Sequence, residues 1–296
     1  MSGQQSPRGV VSPIERHQPA IGWTLRVVHL GLLAFLLVAG LGPLVWLVKA
    51  SLSSTQDTLR TPLGWFPSGV DRANLEQAWH DAQISRYFWN TVRLAIGSWA
   101  VQLVVAVTGA YVLAILRPWY ARLVTGLVLA TLFVPPVVLL VPLFLTVLDL
   151  PVTGGSLLNS YWAVWLPAGA SAFNLLLVKR FFEELPRELL DAARVDGAGP
   201  VRLLWYVVLP LSRPILGVVP IFAIILAWKD FLWPLVVLSE PTIQPLSVRL
   251  PTVRRTLPLD VFLAALLIST AIPVALFLAF QRSILRGVGM GGSVKG

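Results

Sequence analysis

The chain has 296 residues, 56% of them hydrophobic and only 12% charged, about half the charged share of a soluble domain. That deficit points to an integral membrane protein, so the net charge of +9 reads as the bias of basic residues toward one membrane face, not as a nucleic-acid footprint. The absence of cysteine excludes disulfide frameworks, thiolate metal sites and thiol catalysis.

Residues 1–21 are polar and rich in Pro, Ser and Gln, the composition of a disordered tail. Arg8, Arg16 and Arg26 precede the uncharged run 30–48. That run is too long for a signal-peptide core and no small-residue cleavage pattern follows it, so it is read as an uncleaved first span. The mixed stretch 49–88 is broken early by Pro62, Pro67 and Gly69, and 73–84 suits a short amphipathic helix. The aromatic groups Trp65-Phe66 and Tyr87-Phe88-Trp89 suit a membrane interface. Residues 94–116 form the second predicted span, followed by a short loop with Arg117 and Arg122 at its ends. The third, 123–148, carries Pro135-Pro136 near its middle, which frees backbone carbonyls and kinks the helix. After a turn at 149–160 the fourth span, 161–178, is broken by Pro167 and by Ala168-Gly169-Ala170-Ser171-Ala172, small residues that favour close helix contact.

A charged island, 188–214, separates the fourth and fifth runs. Asp196-Gly197 is a turn signal and Gly199-Pro200 a second breaker. The residues from 186 to 195 suit a short helix with Pro at its start. A second short helix can open at Pro200 and should stop near Pro210. The fifth span, 215–238, is interrupted by Lys229-Asp230. Each such charge costs about 2.5–3.5 kcal/mol at the bilayer centre, and adjacent residues do not face each other on a helix. Pro234 also withholds a backbone donor four residues beyond Asp230. Two readings stay open: both charges face a path, a partner or the outer interface, or the span ends early and Lys229 snorkels outward. An outer loop with Pro241, Pro245, Pro251, Arg254, Arg255 and Pro258 covers 239–259, the sixth span covers 261–281 with Pro273 inside it, and a tail covers 282–296.

Six spans place both termini on one side. That side collects 14 of the 23 basic residues and the other seven, so both termini and the island are expected to be cytoplasmic. There is no G-x-x-x-x-G-K-[ST] loop, and Gly287 to Gly292 matches a nucleotide loop in composition only. His17, His29 and His80 lack metal-ligand spacing, and the span interiors hold no His for an intramembrane protease. Trp162, Trp165, Trp228 and Trp233 suit either stacking on sugar rings or anchoring at the membrane interface.

The island resembles the EAA loop of permease subunits in bacterial ABC importers. The matching positions are Asp191-Ala192-Ala193, Gly197 and Leu209-Pro210. The stretches 133–144, 179–198 and 228–238, with the terminal GGSVKG, are similar to the carbohydrate-uptake branch, specifically its maltose-type second permease. Three positions depart from the pattern: Asp191 for the usual Glu, Leu204 where an aromatic is common, and Lys229 for a small polar residue.

The resemblance implies an all-α membrane protein with six transmembrane helices in a permease domain, 22–281. A cytoplasmic two-helix coupling loop, about 181–214, lies between helices 4 and 5. It implies that Glu188, Asp191, Ala192, Ala193, Asp196, Gly197, Leu204, Trp205 and Pro210 dock on an ATPase, with Glu188 and Asp191 as charged handles. Leu203, Leu204 and Trp205 would fill an apolar pocket there. Trp228, Lys229, Asp230 and Trp233 are the candidates for lining the translocation path. The implied setting is a bacterial cell membrane. The implied partners are a second homologous permease, two cytoplasmic ATP-binding subunits that use the ATP, an extracytoplasmic solute-binding protein and the lipid bilayer. No cofactor on this chain and no nucleic acid are implied, and the cargo is expected to be a carbohydrate.

Overall fold

A computed structural model of the protein describes residues 19–290, apart from 63, 65, 152 and 153. Of the tail expected to be disordered over 1–21, residues 19–21 belong to the first helix; residues 1–18, the interface position of Trp65 and the final GGSVKG lie outside the described residues. Every described element is helical.

Helix α1 (Pro19–Ser51) tolerates Pro43 within its length. It presents Leu32, Phe35, Leu36 and Leu41 to the surroundings, as a span facing hydrocarbon does. Two short helices follow, α2 (Thr55–Arg60) and α3 (Ala73–Trp79). The side chain of Ser54 accepts from the Asp57 amide to start α2, satisfying one of its free N–H groups. The amphipathic helix expected over 73–84 ends at Trp79, and Gln83 turns the backbone to φ 54° just before α4 (Ile84–Tyr111) begins.

α4 is the central helix, packed by α7 (Trp162–Gly169), α8 (Ala172–Glu183), α13 (Val219–Lys229) and α15 (Leu246–Val253). Its glycines allow this approach. A Cβ on Gly97 would lie 2.1 Å from Cε2 of Trp165, and one on Gly109 2.9 Å from Cδ1 of Leu175. Gly169, in the expected small-residue cluster, sits likewise against Val101. The break between α7 and α8 falls at Ala170-Ser171 with a bend of 43°, while Pro167 stays inside α7. Ser171 caps α8 through the Asn174 amide.

At Pro135-Pro136 the chain does more than kink. Helix α5 (Ala121–Thr131) stops, a 3-10 turn (Pro136–Leu139) opens, and α6 (Leu140–Leu148) leaves at 102°. Two adjacent residues without N–H groups cannot carry the ladder across. Beyond the island, α12 (Arg213–Leu216), α13 and α14 (Leu232–Val237) complete the region expected as the fifth span, with a break at Asp230. The expected outer loop contains a helix, α15, whose Leu246, Val248 and Leu250 are buried. The last helix, α16 (Leu259–Met290), runs beyond the expected end of the sixth span at 281 into residues assigned to the tail.

Among the described residues, Trp23–Ser51 and Ile84–Leu116 are each long and apolar enough to cross a membrane. Counting each bent pair as one span raises the number to five, and Leu259–Ala275 is a shorter apolar helix. The core divides into three clusters. One surrounds Tyr111, Phe182 and Leu203, a second Ile84, Trp228 and Leu246, and a third Leu94, Val164 and Val237.

Candidate functional site

The island folds as an elbow. Its first arm is α9 (Arg187–Val195), entered from Pro186, and its second runs from Pro200 to Leu211. Between them the amide of Ala198 donates to the Ala193 carbonyl at 2.9 Å and the amide of Gly197 to the Arg194 carbonyl at 3.0 Å. This paired closure is a Schellman motif, which needs a left-handed residue at its turn. Gly197, at φ +81°, supplies it, and no atom approaches within 4 Å of where its Cβ would stand.

The second arm consists of α10 (Pro200–Leu203), a π turn (Leu204–Val208) and α11 (Leu209–Leu211). It ends at Leu211, beside Pro210 as expected. The Leu204 carbonyl accepts from the Leu209 amide five residues on, a shift of register next to the residue with no N–H to offer. The extra residue in the turn brings Leu203 and Val208 to the same buried side. The arm then bends by 77° into Arg213–Lys229.

Several sequence expectations change here. Leu203 fills this chain's own core and is not free to fill a pocket elsewhere, while Leu204 packs half-buried against the same cluster. Of the alanine pair, Ala193 lets α9 lie close to that core and Ala192 faces outward. Asp191 is exposed but paired with Arg194 at 2.7 Å, whereas Glu188 is exposed with no ion pair among the described residues. Trp205, Pro210, Asp196 and Gly197 are also exposed. The most open apolar residues are Val195 (87% exposed), Val201, Trp205 and Tyr206 (79%). Trp205 and Tyr206 are the aromatics displaced from the Leu204 position in the resemblance, while the two valines were not singled out from the sequence.

The path candidates do not behave as one group. Trp228 is buried, its indole N–H donating to the Ser269 carbonyl at 3.0 Å and its ring edge-on to Phe88. It is a packing residue, closed to a path in this conformation. Trp233 is half-buried and donates to the Ala163 carbonyl at 2.9 Å. Lys229 is exposed at the end of α13 and Asp230 is half-buried in the break. Because Pro234 withholds its N–H, the Asp230 carbonyl lacks its helical partner, and Ser247 Oγ donates to it at 2.6 Å instead. The Asp230 carboxylate accepts from the Trp233 amide at 3.4 Å and helps open α14. Of the remaining tryptophans, Trp165 packs on Gly97 and Trp162 is half-exposed. Arg254 and Arg255 lie exposed just beyond α15.

A polar hub that sequence reading missed lies at the other end of α4. Buried Asn90 donates through Nδ2 to the carbonyls of Thr242 (2.8 Å) and Gln244 (3.1 Å) and accepts from the Tyr161 hydroxyl (2.9 Å). Thr91 Oγ1 accepts from the Leu246 amide at 2.8 Å. Midway along α4, buried Gln102 accepts from Asn174 Nδ2 at 2.6 Å. The only advance signal was amide side chains in and beside an apolar run, which need partners once buried.

Residues 102–289 match the family described as binding-protein-dependent transport system inner membrane component. The chain belongs to this family. It is 34% identical over 264 residues to the sulfoquinovosyl glycerol transport system permease protein SmoH of Agrobacterium fabrum, covering 88% of this chain and 90% of that one. It is 30% identical to the diacetylchitobiose uptake system permease protein NgcG of Streptomyces coelicolor, covering 84% and 82%. The sn-glycerol-3-phosphate transport system permease protein UgpE of Yersinia enterocolitica is 29% identical, with 81% and 87% covered. In fold, the chain is similar to a bacterial ABC transporter involved in the import of the acidic polysaccharide alginate. The TM-score is 0.74 at 23% identity, over 93% of this chain and 99% of the other. As a member of this family, the protein is a permease subunit of a membrane transport system.

Proposed function

We propose that this subunit moves a carbohydrate across a bacterial cytoplasmic membrane and that the elbow couples this movement to ATP hydrolysed by partner subunits. The observation that carries the proposal is the elbow surface. Val195, Val201, Trp205 and Tyr206 are apolar and exposed, and they flank a glycine turn bordered by Glu188, Asp191 and Arg202. An exposed apolar group rimmed by charges is the composition of a protein–protein contact. The absence of a phosphate-binding loop in the sequence assigns hydrolysis to another subunit.

The fuller assembly has six spans with both termini and the elbow cytoplasmic, a second homologous permease, two ATP-binding subunits and an extracytoplasmic binding protein. The charge bias across the loops supports this orientation. The cargoes in the names of relatives, sulfoquinovosyl glycerol, diacetylchitobiose and, for the lactose permease LacG of Rhizobium radiobacter, lactose, support a glycoside-type cargo, with glycerol phosphate as a smaller variant. Lys229 and Asp230, in the break of a discontinuous helix, are the path residues this reading retains.

The decisive measurement is ATP hydrolysis by the reconstituted assembly across a panel of lactose, a sulfonated glycoside, a chito-oligosaccharide and glycerol phosphate, each with the binding protein. Stimulation by one glycoside is expected. Failure to recover any ATPase with the tagged chain would remove the coupling reading.

A further inference from the structure

The two ends of α4 carry opposite clamps. At one end Asn90, only 2% exposed, holds the segment that leads into α15. That segment cannot satisfy itself. Pro241 and Pro245 lack N–H groups, and the backbone is extended at Gln244 and Pro245. The carbonyls of Thr242 and Gln244 therefore need outside donors, and both come from Asn90 Nδ2. Thr91 adds a third bond to the Leu246 amide. At the other end, buried Tyr111 donates its hydroxyl to the carbonyl of Pro200 at 2.8 Å, the first residue of the second elbow arm.

Between the clamps α4 has no room to slip. Gly97 lies against Trp165, Gly109 against Leu175 and Gly169 against Val101, and the Gln102–Asn174 bond is buried between α4 and α8. Asn90 and Tyr111 are 21 positions apart, about 32 Å along a helix at 1.5 Å per residue, close to the thickness of a bilayer's hydrocarbon core. Packed interiors shift as units and do not deform continuously.

We propose that α4 is a rigid strut, with Tyr111 and Asn90 as positioning residues that convey displacement of the elbow to the 242–246 segment at the opposite end. The inference rests on the elbow's coupling role and adds a route and two residues to it. Neither side chain touches cargo in this scheme. Each holds one end of the strut to the element it must move.

The chain has no cysteine, so Ser239→Cys introduces a single thiol at an exposed residue just before the clamped segment. The assembly with its ATPase is labelled with N-ethylmaleimide, with and without ATP plus vanadate. Trapping should change the labelling rate at 239. Tyr111→Phe, which removes one oxygen, should cut that change about fivefold or more, the lower range of coupling between sites, with undiminished recovery of the ATPase on the tagged chain. Asn90→Leu should do the same, and the double variant should be no worse than the worse single one, as for two points on one route. A purely structural role for Tyr111 would lower recovery and labelling response together, which overturns the proposal. So would an absent response in the parent, a response that survives Tyr111→Phe, or additive losses. Gly197→Trp separates the two levels. If it abolishes the response and Tyr111→Phe does not, only the strut falls; if it leaves the response intact, the elbow reading falls.

Discussion

The two ends of α4 are built on opposite principles. At the Asn90 end, polar groups from three segments close on one another: Asn90 with Tyr161, the Thr242 and Gln244 carbonyls, and Thr91 with Leu246. At the elbow end Leu190, Leu203 and Val208 pack on Tyr111 and Phe182, leaving Val195, Val201, Trp205 and Tyr206 in the open. Satisfied buried polar groups specify an internal arrangement, whereas unspent apolar surface calls for another molecule. One end spends its polar groups inside the chain, and the other leaves apolar side chains open.

The strongest way to break this contrast is at Gly197. Replacing it with Trp puts a bulky side chain at φ +81°, a region that L-residues enter at a cost of about 1–2 kcal/mol, on the surface proposed for docking. Uptake is expected to be abolished while the subunit still reaches the membrane. Transport at the parental rate would show that the elbow does not couple.

Next comes Trp205→Ala. With its ring exposed, the change should leave the melting of the isolated subunit within about 0.5 kcal/mol. It should weaken ATPase association about tenfold or more, since a truncated interface aromatic commonly costs about 2 kcal/mol. Equal losses in both assays would place Trp205 inside the subunit's own architecture.

Gln102→Leu probes the opposite principle. It strands the Asn174 amide, which bonds Gln102 in a fully buried position, and should cost about 1–3 kcal/mol of stability. Adding Asn174→Leu should return part of that loss, because two apolar groups leave nothing unpaired. Denaturant titration of the solubilised subunit would reveal the recovery; its absence would mean the pair is worth more than its own bond.

The smallest effect lies at Asp57 in α2. The Ser68 hydroxyl and amide, with help from Lys49, hold its carboxyl down at about 2 against an ordinary 3.8. A folded value below the unfolded one means that the contribution is complete above about 3.8 and disappears as pH falls toward 2. The stability difference between the parent and Ser68→Ala should accordingly be flat at neutral pH and close over that acid window. A difference independent of pH would assign the effect of Ser68 to packing.

Much of this was legible before folding. The helical class followed from long uncharged runs, the elbow turn from Asp196-Gly197, and the break in the fifth run from Asp230 with Pro234. These are local matters: a residue without an N–H or without a Cβ acts on the four or five residues around it. The path set was less legible. Trp228, Lys229, Asp230 and Trp233 are close in sequence, yet a buried ring, an exposed ammonium and a half-buried carboxylate result. Helical turning and the break at Asp230 send them in different directions.

The sequence by itself therefore determined that the chain is helical, that it turns at Asp196-Gly197 and breaks near Asp230, and that a charged elbow divides its apolar runs. Only the tertiary structure decided which faces turn inward. The π turn at Leu204–Val208 adds a residue to the local repeat, so Leu203 and Val208 share the core and Trp205 and Tyr206 point away. A pattern read at 3.6 residues per turn cannot anticipate that shift. The Asn90 hub lay equally out of reach, because its acceptors stand 152 and 154 positions along the chain and two carbonyls near prolines acquire donors only when the helices pack.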